Sequence, residues 1–116
     1  MSDVPLRILF VCGKNLRRSP TAEAVYRNDP RVEVRSAGVS EKSKHRVTEK
    51  DLAWAELVLV MERKHKARIL EAFGGLENLP RIESLEIPDE FEFMEEELVE
   101  LIRGGVEDFL SALNEQ

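Results

Sequence analysis

An apolar strand that ends in a cysteine and leads directly into a helix is the feature that most constrains the fold. Residues Arg7–Val11 have the apolar core of a buried strand. Cys12–Ser19 follow as a short polar loop, and Pro20 suits the first position of a helix. In open α/β sheets, ligands bind at the carboxyl ends of the strands. We therefore expect Cys12 and its loop to lie at a ligand-binding edge.

Strand and helix patterns alternate along the rest of the chain. The predicted strands are Arg7–Val11, Val32–Ser36, Leu57–Met61 and Arg81–Leu85. Four helices are predicted. The first runs from near Pro20 to before Pro30, and the second is a short helix capped by Thr48. The third runs from about Glu62 to Phe73, and the fourth from Met94 to Leu113. This alternation predicts a three-layer, doubly wound α/β fold with a parallel four-stranded sheet in the order 2-1-3-4. Residues 1–116 are expected to form a single domain.

The loop has the chemistry of a phosphate site with a nucleophile in it. A loop that closes onto a helix N-terminus directs backbone N–H groups inward, and the helix dipole adds positive charge there. Arg18 adds a planar fork that can hold two phosphate oxygens. The same field favours the reactive thiolate form of a cysteine. The expected substrate-binding residues of the loop are Gly13, Lys14, Asn15, Leu16, Arg17 and Ser19.

Two questions about this loop stay open at the level of sequence. A lone cysteine after an apolar strand is commonly a small buried hydrophobic residue, and this is the alternative to a catalytic Cys12. Ser19 is suited to capping the helix, but its hydroxyl could instead face the sulfur. A nucleotide-binding P-loop is excluded because Gly13-Lys14 is followed by Asn15 rather than by Ser or Thr.

Composition narrows the functional classes. No apolar run approaches the length of a membrane span, and one cysteine suits a reducing compartment, so a cytoplasmic protein without membrane association is expected. Residues 1–70 carry 15 basic and 9 acidic side chains, whereas residues 71–116 carry 2 and 14. The net charge of −6 makes nucleic acid an unlikely partner. His45 and His65 are too widely separated for a metal site with Cys12, and no metal or cofactor is predicted.

The segment from Val11 to Val25, with Cys, five residues, Arg, Ser and Pro, resembles the signature of the low-molecular-weight protein tyrosine phosphatases. Ser36-Ala37-Gly38 and the strand Glu56–Glu62 are similar to further landmarks of that family. The resemblance implies that Cys12 is the nucleophile and that Arg18 binds the phosphoryl group. It also implies an acidic proton donor that is usually followed by Pro and then Tyr or Trp, and Pro88-Asp89-Glu90-Phe91 is the nearest match.

By this resemblance Asp89 is the expected acid, with Glu90 as first substitute, and Phe91 is the expected aromatic at the rim of the site. The implied activity is a cysteine-dependent phosphomonoesterase, a protein tyrosine phosphatase that acts through a phosphocysteine. Its partners would be a phosphorylated protein or a small phosphoester, with inorganic phosphate or another oxyanion in the loop.

The sequence departs from the family pattern at three points, of which the shifted glycine and the missing proline motivate an alternative function. Glycine stands at Gly13 rather than at Lys14, and Arg17 occupies a position that is often a second cysteine. Glu90 replaces the proline that usually follows the acid. One alternative is a non-catalytic phosphate or phosphoprotein binding module on the same scaffold. Another is a thiol redox enzyme, which would need an external thiol because Cys12 is the only cysteine.

Overall fold

The computed structural model describes residues 4–114 and contains one parallel sheet of four strands in the order β2-β1-β3-β4. The strands are β1 (Leu6–Cys12), β2 (Val32–Gly38), β3 (Leu57–Val60) and β4 (Arg81–Ser84). The helices are α1 (Arg18–Tyr26), α2 (Glu49–Trp54), α3 (Arg63–Phe73) and α4 (Glu96–Asn114). The predicted fold class and strand order are confirmed. Among residues 4–114, no helix is long and apolar enough to cross a membrane.

The two faces of the sheet have separate cores because side chains alternate along each strand. On one face, Ile8 and Phe10 of β1 pack in a cluster with residues of α1 and α4. On the other face, Leu9 and Val11 pack in a cluster that includes residues of α2 and α3. The result is the expected three-layer arrangement, with the central strands β1 and β3 buried on both faces as parallel strands usually are.

Two element bounds differ from the sequence prediction in ways that tertiary contacts explain. β2 continues to Gly38 because it pairs with β1 as far as the Cys12–Gly38 pair. α4 begins at Glu96 rather than at Met94, because Met94 has a φ of 62° and its N–H bonds to the Thr21 hydroxyl. Trp54 of α2 is partly buried and packs against the second cluster, and the Arg35 guanidinium lies 4.2 Å from its ring centroid.

The parallel topology brings four chain segments to one edge of the sheet. The loop after β1 leads into α1, and the segment after β2 packs against that loop. The segments that follow β3 and β4 contribute Glu62, Ile87 and Asp89 to the same edge. The carboxyl ends of the strands therefore carry the candidate site.

Candidate active site

Cys12 is the last residue of β1, and its side chain is almost fully buried, with 3% of its surface exposed. Its Sγ lies 2.9 Å from the Ser19 hydroxyl, which also bonds to the Ala37 carbonyl at 3.2 Å. A thiol can donate its proton to Ser19, whereas a thiolate requires that the Ser19 hydroxyl turn and donate to sulfur. The helix N-cap is Arg17, so of the two roles open to Ser19 the structure displays the contact with sulfur.

Asn15 fixes the turn of the loop behind the cysteine. It has a φ of 57°, in the left-handed region that asparagine tolerates better than most residues. Its side-chain amide donates to Ser19 Oγ and to Ser36 Oγ, both at 3.0 Å. Ser36 in turn donates to the Glu23 carboxylate. Asn15 is therefore buried and stabilises the loop through these hydrogen bonds, and its side chain does not face the cavity side of the loop.

The loop carbonyls are bonded on the outside of the loop. The N–H groups of Val39, Ser40 and Lys44 donate to the carbonyls of residues 12, 13 and 14 at 3.1, 2.9 and 3.0 Å. Within residues 4–114, the N–H groups of residues 13–17 donate no hydrogen bond. Unpaired N–H groups in a loop closing onto a helix are what a tetrahedral anion requires. The loop is thus prepared for an oxyanion.

Arg18 is buried beside the loop, with 4% of its surface exposed. Its Nη1 donates to the Glu62 carboxylate at 2.6 Å and to the Ile87 carbonyl at 2.7 Å. Its Nε lies 3.7 Å from an Asp89 carboxylate oxygen. The guanidinium is therefore anchored through Nη1 by the segments that follow β3 and β4.

Glu62 and His65 support Arg18 from behind: Glu62 binds the guanidinium, and His65 binds the Glu62 backbone. No role in the site was predicted for either residue from the sequence. Burial raises the pKa of Glu62, but the hydrogen bond and charge of Arg18 outweigh burial and leave that pKa below its ordinary value. Burial, followed by the charge of Arg18, lowers the pKa of His65 to about 4. His65 Nδ1 accepts from the Glu62 N–H at 3.1 Å. The neutral imidazole therefore carries its proton on Nε2, which faces the site.

A signal for both residues was present in the sequence. Glu62 follows β3 almost directly and so had to lie at the carboxyl edge of the sheet. His65 comes three residues later, where it can bond back to the N–H of Glu62 at the helix start. The bond between Arg18 and Glu62 joins residues 44 positions apart, and local patterns do not reveal such a pairing.

One cavity of about 710 Å³ brings the predicted catalytic residues together. Cys12, Arg18 and Asp89 all line it, as do the predicted loop residues Gly13, Lys14, Leu16 and Arg17. Glu90 is exposed and is not among the lining residues, which favours Asp89 as the acid that can reach a ligand. We refer to this space below as the Cys12 cavity.

Three predicted substrate-binding residues lie elsewhere. Asn15 and Ser19 are buried behind the loop and support it from there. Phe91 is 8% exposed and packs in the core cluster that includes residues of α1 and α4, outside the lining of the Cys12 cavity. Its role as the aromatic rim stays a prediction without support from this geometry.

The chain is an α/β domain in which a buried cysteine lines a cavity, beside a loop whose backbone N–H groups at residues 13–17 donate no hydrogen bond. The sequence model of the family described as low molecular weight phosphotyrosine protein phosphatase matches residues 7–54, and the chain belongs to this family.

Relatives of known identity extend the comparison. A protein-arginine-phosphatase of Geobacillus stearothermophilus is 38% identical over 94 residues, covering 60% of this chain and 64% of the relative. The match therefore spans less than two thirds of that relative. The solved structure of the YwlE arginine phosphatase from the same organism gives a TM-score of 0.72 at 30% identity, over 97% of both chains. The crystal structure of a low molecular weight phosphotyrosine phosphatase from Vibrio cholerae O395 gives a TM-score of 0.75 at 22% identity, over 96% of this chain and 98% of its own. At this identity the comparison shows a shared fold alone.

Proposed function

We propose that this protein is a cysteine-dependent phosphatase that forms a phosphocysteine on Cys12. The observation that carries the proposal is the convergence of Cys12, Arg18 and Asp89 on one cavity, beside a loop of unpaired N–H groups. A nucleophile, a cationic clamp and an acid are the three parts that phosphoryl transfer through a covalent intermediate needs.

The first step transfers the phosphoryl group to the enzyme. The Cys12 thiolate attacks phosphorus, the S–P bond forms, and the bond from phosphorus to the leaving atom breaks. Asp89 gives its proton to the leaving atom as that atom takes the electron pair. The loop N–H groups and Arg18 bind the equatorial oxygens, where charge is spread in the transition state.

The second step releases phosphate. Asp89, now a carboxylate, removes a proton from water, and the water oxygen attacks phosphorus. The S–P bond breaks and its electron pair returns to sulfur. Ser19, 2.9 Å from Sγ, donates to the thiolate that forms and so makes sulfur a better leaving group.

The substrate is proposed to be a phosphorylated protein or a small phosphoester. Phosphotyrosine is the form that the sequence resemblance predicts. Phosphoarginine is the second candidate, because the relative at 38% identity carries the name protein-arginine-phosphatase. Asp89 can serve either one, since both a phenolate oxygen and a guanidino nitrogen need a proton on leaving. A cytoplasmic location is part of the proposal because Cys12 must remain reduced to act.

The test compares turnover of phenyl phosphate by the wild type and by Asp89→Asn. We expect kcat to fall by about 10²-fold or more, because general acid catalysis usually contributes that much. The matched control is Glu90→Gln, a neighbouring acid outside the Cys12 cavity, which should change kcat little. Binding of inorganic phosphate by both variants confirms that the loop is intact.

Two results would contradict the proposal. Equal losses in Asp89→Asn and Glu90→Gln would remove the acid role from Asp89. Phosphate binding without measurable turnover in the wild type would favour the alternative, a non-catalytic phosphate or phosphoprotein binding module.

A further inference from the structure

One wall of the Cys12 cavity is a basic face of helix α3. Lys64 and Arg68 are four positions apart, so they project from the same side of the helix. Both line the cavity and both are exposed, with Ala67 between them. This pair, called the cationic wall below, belongs to an element separate from the phosphate loop.

The charge around the cavity exceeds what one phosphoryl group requires. The basic lining residues are Lys14, Arg17, Arg18, Lys64 and Arg68, and the acidic one is Asp89. Arg18 and the loop N–H groups already supply the partners of a phosphoryl dianion. The wall is therefore additional positive charge.

Protein carboxylates neutralise little of this additional charge. Among residues 4–114, Arg68 has no carboxylate within ion-pair distance. Lys64 has one at 3.9 Å, the Glu62 oxygen that Arg18 already binds at 2.6 Å. In the part of the chain that is described, no Phe, Tyr or Trp side chain lines the cavity. A second anionic group would bind Lys64 and Arg68 more strongly than an uncharged aromatic ring or a cation would.

We infer that the protein selects phosphoryl substrates that carry a second anionic group on the leaving-group side, bound by Lys64 and Arg68. The inference rests on the proposed phosphatase function and names its substrate class. The second anion can be a carboxylate next to the phosphorylated residue of a peptide, or a second phosphate on a small molecule. Both would meet the cationic wall while the first phosphoryl group occupies the loop.

The test measures binding of non-hydrolysable analogues, so that it does not depend on turnover. Phenylphosphonate and 4-phosphonobenzoate differ only by a carboxylate, and calorimetry gives the two Kd values. At low salt we expect the wild type to bind 4-phosphonobenzoate about fivefold more tightly, the size expected of two exposed charge pairs. The preference should shrink at about 0.5 M salt because exposed charges are screened there.

A double variant, Lys64→Gln with Arg68→Gln, should lose this preference. The matched control is Arg63→Gln with Lys66→Gln, which removes two charges of the same kinds from the same helix but outside the Cys12 cavity. The control should keep the fivefold preference. Equal preference in wild type and in the Lys64/Arg68 variant, or equal loss in both double variants, would overturn the inference.

A third analogue identifies the source of the second anion. Tighter binding of benzene-1,4-bisphosphonate than of 4-phosphonobenzoate supports a doubly phosphorylated small substrate, and the reverse order supports an acidic phosphopeptide. Either order supports the cationic wall, whereas weaker binding of both than of phenylphosphonate contradicts it. Turnover of phenyl phosphate, measured separately, reports on the phosphatase function itself.

Discussion

Replacing Glu62 by Gln removes the charge that holds the buried arginine of the site. The Glu62 carboxylate accepts a 2.6 Å hydrogen bond from Arg18, whose guanidinium is 4% exposed. Gln keeps the shape and one acceptor but leaves the guanidinium with an uncharged partner. The Ile87 carbonyl at 2.7 Å remains in either protein.

The expected loss of stability in Glu62→Gln depends on how deeply Arg18 and Glu62 are buried. Breaking a fully buried ion pair costs about 3–5 kcal/mol, and losing one charge-assisted hydrogen bond costs about 1.5–3 kcal/mol. Because the Glu62 side chain is 27% exposed and the amide still accepts, we expect a loss of about 1–2 kcal/mol in the free energy of unfolding. We also expect kcat/KM to fall about tenfold, because Arg18 loses its orientation toward the phosphoryl oxygens.

The pH dependence gives an independent check on Glu62. Its pKa lies below the ordinary 4.5, so its folded form binds fewer protons than the unfolded chain in that range. The stabilisation is therefore fully present above pH about 4.5 and is lost as pH falls through the lowered value. Urea denaturation of wild type and Glu62→Gln should differ at neutral pH and converge in acid.

The control for this experiment is Glu86→Gln. Glu86 also binds an arginine, Arg63, at 2.6 Å, but the Arg63 side chain is 87% exposed and that of Glu86 53%. Exposed pairs of this kind contribute less than about 1 kcal/mol. If Glu62→Gln is no more destabilising than Glu86→Gln and leaves kcat/KM unchanged, the reasoning about the Arg18 anchor is refuted.

Three further predictions concern residues around the loop. The pKa of His65 is about 4, against an ordinary 6.5, so between these pH values the unfolded chain binds a proton that the folded protein does not. As pH falls from 6.5 to 4, the free energy of unfolding should therefore decrease by up to about 3 kcal/mol. Urea denaturation of His65→Gln should show a flatter pH profile, and an unchanged profile would refute this. Gly38→Ala would place a Cβ 2.9 Å from the backbone nitrogen of Asn15, so calorimetry should show weaker phosphate binding, whereas Gly75→Ala, with open space around it, should bind normally; normal binding by Gly38→Ala would count against the packing argument. Peroxide should inactivate Cys12 with poor recovery, because no second cysteine can form a protecting disulfide; rapid and complete reactivation by a mild thiol after long exposure would contradict it.

The sequence predicted the architecture well because the strand and helix patterns are local and strongly periodic. The ends of elements were harder to predict where a distant residue decides them. Met94 leaves the helical conformation because its N–H bonds to Thr21, 73 positions away. Similarly, β2 extends to Gly38 because Cys12 lies opposite it in the sheet.

In the candidate site, too, the residues set by local sequence were predicted, and those set by distant contacts were missed. Cys12 and Arg18 belong to one short motif, so their proximity could be read from spacing, and Asp89 could be placed by its position after a strand. Glu62 and His65 act on Arg18 across the sheet edge, and nothing local in the sequence pairs them with it. Phe91 shows the converse case, since an aromatic after the acid was expected at the rim and packs in the core.

Trapping the covalent intermediate tests the central claim most directly. Wild-type protein is mixed with phenyl phosphate, quenched within one turnover, digested and examined by mass spectrometry. We predict one phosphoryl group on the peptide that contains Cys12, and none in Cys12→Ala, although that variant should still bind inorganic phosphate. A phosphoryl group on another residue, or full turnover by Cys12→Ala, would contradict the account.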